Sequence, residues 1–433
     1  MLRRSPRRIA TISVLTSPFA QPGGGDAGGL NVYVVEVAKR LAGRGVEVDV
    51  FTRATARDAP PVAELVPGVR VLHVVAGAAA ELDKAELPGT VGRFTEEILS
   101  PRAEGGGLPY DLIHAHHWLS GQVGIAARRQ WAAPLVQTMH SLGKTKNAAL
   151  ASGDEREPAS RITGETEVVA AADRLIANTV QEADHLVTLY GADPARVRTI
   201  NPGVDLSLFR PGSPAEARRR LGLPADAVLL LFAGRVQPLK GPDVLLRATA
   251  RMLKDDPGLA GRLVAAVVGG PSGTGRANPS HLAEVAAALG ITAHVRLEPP
   301  CPQPVLADWY RAATAVVVPS HAETFGLVAL EAQACGVPVV AAAAGGLRTA
   351  VRDGVSGVLV DGHDPARYAR VLGDLVAAPR RLRALGQGAI AHASRFGWDD
   401  AVDRLVGVYA EAMDDFPSAG GLPPNLGRVT ATT

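Results

Sequence analysis

Three stretches of this sequence combine glycine with charge at spacings that suit an anionic ligand. The first is Gln21-Pro-Gly-Gly-Gly-Asp-Ala-Gly-Gly-Leu-Asn31. Gly28 and Gly29 carry no Cβ, so a phosphate or sugar can approach the backbone closely. The helix expected from Leu30 would then turn its free amides toward an anion. Gly23, Gly25 and Gly28 also satisfy G-x-G-x-x-G. That match is weak. A cluster this dense produces it by chance, and the second strand ends Phe51-Thr52-Arg53, without the acidic residue that a dinucleotide ribose needs.

The second stretch is Gly234-Arg-Val-Gln-Pro-Leu-Lys-Gly241, directly after an apolar run. Arg235 and Lys240 place two cations at one strand end. A departing diphosphate needs fixed positive charge there, because negative charge grows on it as its bond breaks. In isolation, two solvated surface charges would look the same. The third stretch is Pro319-Ser-His-Ala-Glu-Thr-Phe-Gly-Leu-Val-Ala-Leu-Glu331. A helix expected from about Phe325 would offer free amides to phosphate. Glu323 would lie in the turn and Glu331 two turns in, as acceptors for sugar and ribose hydroxyls. A helix dipole accounts for an acidic Glu323 but not for Glu331.

Other constellations carry less. His114-Ala-His116-His117 resembles a metal patch, but no cysteine or carboxylate lies close in sequence, so polar strand ends facing a cleft are the expectation. No G-x-S-x-G elbow occurs, which disfavours that hydrolase class. Gly269-Gly-Pro-Ser-Gly273 reads equally as a turn or as a ligand contact.

The elements that must position these loops alternate. Apolar runs over 8–16, 46–52, 69–75, 111–115, 135–140, 174–177 and 197–200 read as strands, with helices over 30–42 and 180–190. After the breaks at Asn201-Pro-Gly203 and Pro211-Gly-Ser-Pro214, a second series covers 228–232, 263–268, 295–297, 315–318, 337–341 and 358–360. Such alternation means crossover units, parallel sheets and ligands beyond the carboxyl ends of the strands. The expected class is α/β, with two Rossmann-like domains facing each other across a cleft, the boundary at 203/204 and a further helix from Trp398 to Met413.

Length and composition agree. The chain has 433 residues, 47% hydrophobic and 20% charged, which suits two domains of roughly 200 residues. A net charge of +2 argues against a nucleic-acid partner. Cys301 and Cys335 form no disulfide framework, which points to a reducing, cytoplasmic setting. The basic Met1–Arg8 followed by apolar Ile9–Leu15 faintly mimics a signal peptide, but a buried first strand is the expectation. No apolar run is long enough to span a membrane.

In this order, the motifs resemble retaining glycosyltransferases of family 4, which adopt the GT-B fold. The likeness runs from Arg8 to Met413. It rests on Thr16-Ser-Pro, Gln21 to Tyr33, Phe51-Thr-Arg-Ala-Thr55, Trp118-Leu-Ser-Gly121, Gly234 to Gly241 and Glu323 to Gln333. It is strongest to the branch that moves N-acetylglucosamine from UDP-N-acetylglucosamine to 1D-myo-inositol 3-phosphate, a step of mycothiol biosynthesis.

The resemblance implies roles for residues. Arg235 and Lys240 hold the diphosphate, Glu323 the donor sugar and Glu331 the ribose, while His140 faces the transferred sugar. Gln21, Pro22 and Gly29 touch the donor from the first domain, and Cys301, Phe325, Gly326 and Leu327 from the second. Asp26, Ala27, Gly28, Gly29, Leu30 and Asn31 bind the acceptor, together with Lys84, His117, Ser141 and Arg161. Residues 204–396 then form the donor domain and 1–203 the acceptor domain, with the segment 397–433 crossing back onto it. No metal is required, though an accessory Mg²⁺ is compatible. The implied partners are a nucleotide-sugar donor and a small phosphorylated polyol, and a homodimer is allowed.

Leu15 stands where the family has histidine, His117 replaces tyrosine, Ser141 replaces threonine and Cys301 replaces arginine. These departures leave room for a related enzyme with another sugar and another acceptor, even a thiol such as ergothioneine. From other classes, an NAD-dependent oxidoreductase accounts for the first loop alone. A non-catalytic nucleotide-sugar binder would keep the contacts without transfer.

Overall fold

Most apolar runs are followed by a helix that crosses back over the growing sheet, which forces parallel pairing. The computed structural model describes residues 5–100, 110–151, 154–273 and 278–417. The first sheet contains β1 (Arg8–Ser13), β2 (Glu47–Arg53), β3 (Val62–Val66), β4 (Val69–Val74), β5 (Leu112–His116), β6 (Leu135–Thr138), β7 (Arg174–Ala177) and β8 (Val197–Thr199). The second contains β9 (Val228–Ala233), β10 (Leu263–Val268), β11 (Val295–Glu298), β12 (Ala315–Val318), β13 (Val339–Ala342) and β14 (Gly357–Val360). The strand orders are β3-β4-β2-β1-β5-β6-β7-β8 and β11-β10-β9-β12-β13-β14. Both are Rossmann-like windings, so the α/β class holds. The exception is β3, an edge strand antiparallel to β4 that the apolar pattern did not announce.

The winding reverses between β1 and β5 in one sheet and between β9 and β12 in the other. Loops leaving adjacent strands at such a point diverge and open a crevice. The loops after β1, β5, β9 and β12 are those that carry Gln21–Asn31, His117, Gly234–Gly241 and Pro319–Gly326. Topology alone therefore brings the motif-bearing loops to the mouths of two facing crevices.

The chain crosses between lobes twice. Val204 N–H donates to Phe396 O at 2.8 Å, and Val204 pairs with Gly397, so the two crossings run side by side. Gly203 must be glycine there, since a Cβ would lie 2.4 Å from Trp398 N. After the second crossing the Trp398–Asp415 helix packs on the first lobe. Trp398, Val402, Leu405 and Tyr409 form one stripe, buried against Ile9, Tyr33, Val34 and Leu41. Burying each such side chain contributes about 1.5–3 kcal/mol. Residues 1–4 and 418–433, the ends of the basic lead and of the tail, lie outside the described residues. Among the described residues no helix is long and apolar enough to cross a membrane.

Candidate active site

A cavity of about 1270 Å³ lies between the lobes, and Arg235, Lys240, Glu323, Glu331, His140, Lys84 and Arg161 all line it. That volume exceeds the common range for small-ligand pockets and has room for two substrates. Gln21, Pro22, Asp26, Gly28, Gly29, Leu30, His117, Ser141, Cys301, Phe325, Gly326 and Leu327 line it too, as does Leu15.

Two residues expected at the acceptor, Ala27 and Asn31, are not among those lining the cavity. Ala27 is buried, and Asn31 is turned inward at 2% exposure. Asn31 Nδ2 donates to Ser17 O at 2.6 Å, while its Oδ1 accepts from Thr16 Oγ1 at 2.8 Å and Gly28 N at 3.2 Å. It shapes the glycine loop from behind and is not among the residues lining the cavity. The loop also reaches the other lobe, since Gly270 N donates to Gly23 O at 2.9 Å and Gln21 Nε2 to Cys301 O at 2.7 Å.

The cations of the second lobe sit on rigid turns. Arg235 follows Gly234, and its guanidinium packs on the first lobe, where a Cβ on Gly28 would lie 3.3 Å from Nε. Burial lowers the Arg235 pKa, while Asp26 and Glu323 oppose the shift. Lys240 ends a short 3₁₀ turn over Pro238–Lys240, and its Nζ meets Glu323 Oε2 at 2.6 Å. Lys84 faces them from the first lobe, paired with Asp26 at 3.2 Å. Its pKa falls through burial first and through Arg235 second. Three cations thus share one partly dehydrated cleft, and two of them, Lys240 and Lys84, are paired with its own carboxylates.

The helix after Pro319–Gly326 begins at Leu327, later than the pattern suggests, because Gly326 takes φ +102 and closes the preceding turn. Glu331 therefore lies one turn in. Its Oε2 accepts from Tyr310 hydroxyl at 2.8 Å, and burial pushes its carboxyl up to about 7. Gly346 N donates to Glu323 O at 2.8 Å and fixes the Glu323 turn from behind. Thr324 Oγ1 donates across the cleft to His140 O at 2.7 Å.

The histidines divide differently from the expectation. His114 and His116 are buried at 1% exposure and do not face the cleft. His114 bonds Thr138 Oγ1 at 2.9 Å and Tyr409 hydroxyl at 2.8 Å, so strand residues near the site are tied to the returning helix. His116 Nδ1 lies 2.9 Å from His140 Nε2 and orients that ring. Burial holds His114 and His140 down to about 3, so they remain neutral at physiological pH. His117 and His140 take φ of 72° and 59°, which turns both side chains off their strand ends. Among the described residues no group of three or more His, Cys, Asp or Glu is arranged to hold a metal ion.

Motif reasoning missed Thr324, which bridges the lobes, and the pair Lys146–Glu157, whose members also line the cavity. Thr324 lies inside the third stretch but was given no role there, and Lys146 and Glu157 follow no recognisable spacing. Only the fold brings them to the site.

Known proteins place this geometry. Residues 28–203 match the glycosyl transferase 4-like domain, and residues 214–392 match the glycosyl transferases group 1 domain. A D-inositol 3-phosphate glycosyltransferase of Thermomonospora curvata is 63% identical over 424 residues, 96% of this chain and 98% of that protein. One from Catenulispora acidiphila is 64% identical over 410 residues, 95% and 97% of the two chains. Sucrose-phosphate synthase from Thermosynechococcus elongatus superposes with a TM-score of 0.86 at 32% identity, over 94% of this chain and 99% of that one. Anabaena HepE, solved with UDP and glucose, shares the fold at a TM-score of 0.73 and 20% identity, over 94% and 100%. The chain is a two-domain glycosyltransferase and belongs to the family of the D-inositol 3-phosphate glycosyltransferases.

Proposed function

We propose that this enzyme transfers N-acetylglucosamine from UDP-N-acetylglucosamine to 1D-myo-inositol 3-phosphate with retained configuration, in the cytoplasm. The observation that carries the reading is the sharing of one interlobe cavity by Arg235 and Lys240 on one side and Lys84 and Arg161 on the other. The first pair suits a leaving diphosphate and the second a phosphorylated acceptor. The names of the relatives at 63% and 64% identity agree with that acceptor.

In this reading residues up to 203 hold the acceptor and 204–396 hold the donor. The acceptor oxygen attacks the anomeric carbon on the face that the diphosphate leaves. The bond from that carbon to the phosphate oxygen breaks, and the hydroxyl proton passes to the same phosphate oxygen. Arg235, Lys240 and the amides opening the Leu327–Ala334 helix stabilise the charge left on UDP. Glu323 exchanges Lys240 for the donor sugar's hydroxyls. His140, held neutral, packs against the transferred sugar. Closure of the lobes excludes water, which would otherwise hydrolyse the donor. None of these steps passes through a metal.

A donor-by-acceptor activity matrix tests the assignment. The expected result is transfer from UDP-N-acetylglucosamine to inositol 3-phosphate, with free inositol and small thiols poor. Preference for a thiol or another polyol would replace the acceptor, and reduction of NAD would replace the class.

Glu331 gives a pH prediction. A ribose diol donates to the ionised carboxylate, which in the free protein takes up its proton near pH 7. Ligand binding therefore favours the ionised form, and UDP affinity should weaken as pH falls through 7. Calorimetry should show this limb in the wild type and its loss in Glu331→Gln, beyond the contribution of UDP's own phosphate, which both proteins share. Identical profiles would remove Glu331 from the ribose.

A further inference from the structure

The cleft contains a cation that no motif marks. Lys146 lies on the Gly143–Ala148 helix, and its Nζ meets Glu157 Oε1 at 2.5 Å. Arg161 Nη1, on the Ala159–Ala171 helix, meets the same oxygen at 2.9 Å. One carboxylate oxygen thus bridges cations from two helices, as a phosphate oxygen does. Glu157 is fixed by its backbone, whose N–H donates to Asn147 Oδ1 at 2.7 Å and whose carbonyl accepts from Asn147 Nδ2 at 3.2 Å. Burial opposes its ionisation, but Arg161 and Lys146 prevail and hold its carboxyl at about 2.

Arg161 has a separate counter-ion. Its Nε donates to Glu165 Oε1 at 2.7 Å, and Glu165 is also bonded by Gly143 N–H and the Tyr190 hydroxyl. Glu157 is therefore surplus to Arg161's own balance. Next to this cluster, His117 is buried at 7% exposure, and its Nδ1 has no hydrogen-bond partner among the described residues. Burial first, then Arg161, Lys146 and Lys84, hold its ring well below the ordinary histidine range. An orphaned ring nitrogen surrounded by three cations fits an anion with several acceptor oxygens.

We propose that Lys146 joins Lys84 and Arg161 as a third cation of the subsite for the acceptor's phosphate, and that Glu157 is the built-in occupant which that phosphate displaces. The proposal rests on the phosphorylated-acceptor reading given above. When the phosphate arrives, Glu157 releases Lys146, and His117 Nδ1–H gains an acceptor. A polyol without phosphate cannot displace Glu157, so the displacement itself selects against it.

Lys146 faces Arg161, Glu157, Lys84 and His117. Burial, then Arg161 and Lys84, lower its pKa to about 8 against the opposing pull of Glu157. Above pH 8 the ammonium is lost and acceptor binding weakens, whereas below it the charge is present.

Steady-state kinetics of the full-length enzyme test this. Lys146→Ala is expected to raise the acceptor KM by about 10- to 100-fold. Donor KM should stay unchanged, and the preference for inositol 3-phosphate over inositol should shrink by the same factor. Lys146→Arg is expected to retain the acceptor KM at pH 7 and to abolish the decline of kcat/KM above pH 8. Donor and acceptor KM rising together, or an alkaline limb unchanged in Lys146→Arg, would overturn the assignment.

Inorganic phosphate, titrated by calorimetry with UDP filling the donor side, separates the subsite from the identity of the acceptor. Its dissociation constant should rise about tenfold or more in Lys146→Ala and fall in Glu157→Gln. If inositol 3-phosphate is not a substrate but these shifts occur, the acceptor reading fails and the subsite stands. Equal phosphate affinity in wild type and Lys146→Ala sinks the subsite, and weaker binding in Glu157→Gln sinks the displaced-occupant role.

Discussion

Replacing Lys240 by alanine should lower kcat by about 10²- to 10³-fold, equivalent to about 2.7–4 kcal/mol of transition-state stabilisation. In the free enzyme the ammonium rests on Glu323 at 2.6 Å, on a turn that directly follows β9. Its proposed task begins when the diphosphate departs, so kcat should suffer more than donor KM. The side chain is partly open to the cleft and supports no core packing, so the urea midpoint should barely move. Arg235→Ala should show a loss of similar size, and the double variant should lose less than the product, because both cations act on one leaving group. A Lys240→Ala enzyme turning over within about threefold of wild type would exclude the residue from the proposed bond cleavage, given the far larger loss expected for such a group.

Gly346→Ala should damage the same step from behind. A Cβ there would lie 2.2 Å from Thr324 O and 2.5 Å from Phe325 Cα, both backbone atoms that cannot swing aside. Relieving the clash must displace the Glu323–Phe325 turn, and with it both the Lys240 partner and the Thr324 bond to His140 O. Overpacking of this kind costs about 1–3 kcal/mol of stability. A displacement of ~1 Å at reacting groups costs about 10²-fold in rate. The expected signature is therefore a lowered urea midpoint together with a collapse in kcat, in contrast to Lys240→Ala, which should show only the second. Wild-type turnover in Gly346→Ala would mean that the turn does not position the chemistry.

Much of this was legible in the sequence, because doubly wound sheets bury their strands on both faces. Runs such as Leu263–Val268 and Ala315–Val318 are continuous and apolar, and they fold with the bounds that the pattern suggests. β3 escaped because Val62–Val66 is an edge strand, mostly exposed or half-exposed, without a buried run to betray it. Glycine and charge marked the cleft loops, and nearly every residue drawn from them lines the cavity. Ala27 and Asn31 do not, because a loop needs inward-facing residues to hold its shape and local sequence does not distinguish them from ligand contacts. The helix start was misjudged by two positions, since only backbone geometry reveals that Gly326 is in a left-handed turn. Lys146, Glu157 and Thr324 were invisible for another reason. Thr324 meets its partner across the cleft, Lys146 and Glu157 meet between two segments of the first lobe, and no spacing rule encodes either meeting.

The return of the last described helix to the first lobe has a consequence for how the chain is made. The face around Ile9, Tyr33, Val34 and Leu41 is synthesised early, yet its cover, Trp398–Asp415, leaves the ribosome more than about 350 residues later. At ordinary rates of translation that interval is roughly 20–70 s. Throughout it the nascent lobe presents bare apolar surface, a target for chaperones and proteases. A message truncated anywhere in the second lobe yields a product that never covers that surface, so completion of the polypeptide and burial of that face become a single event.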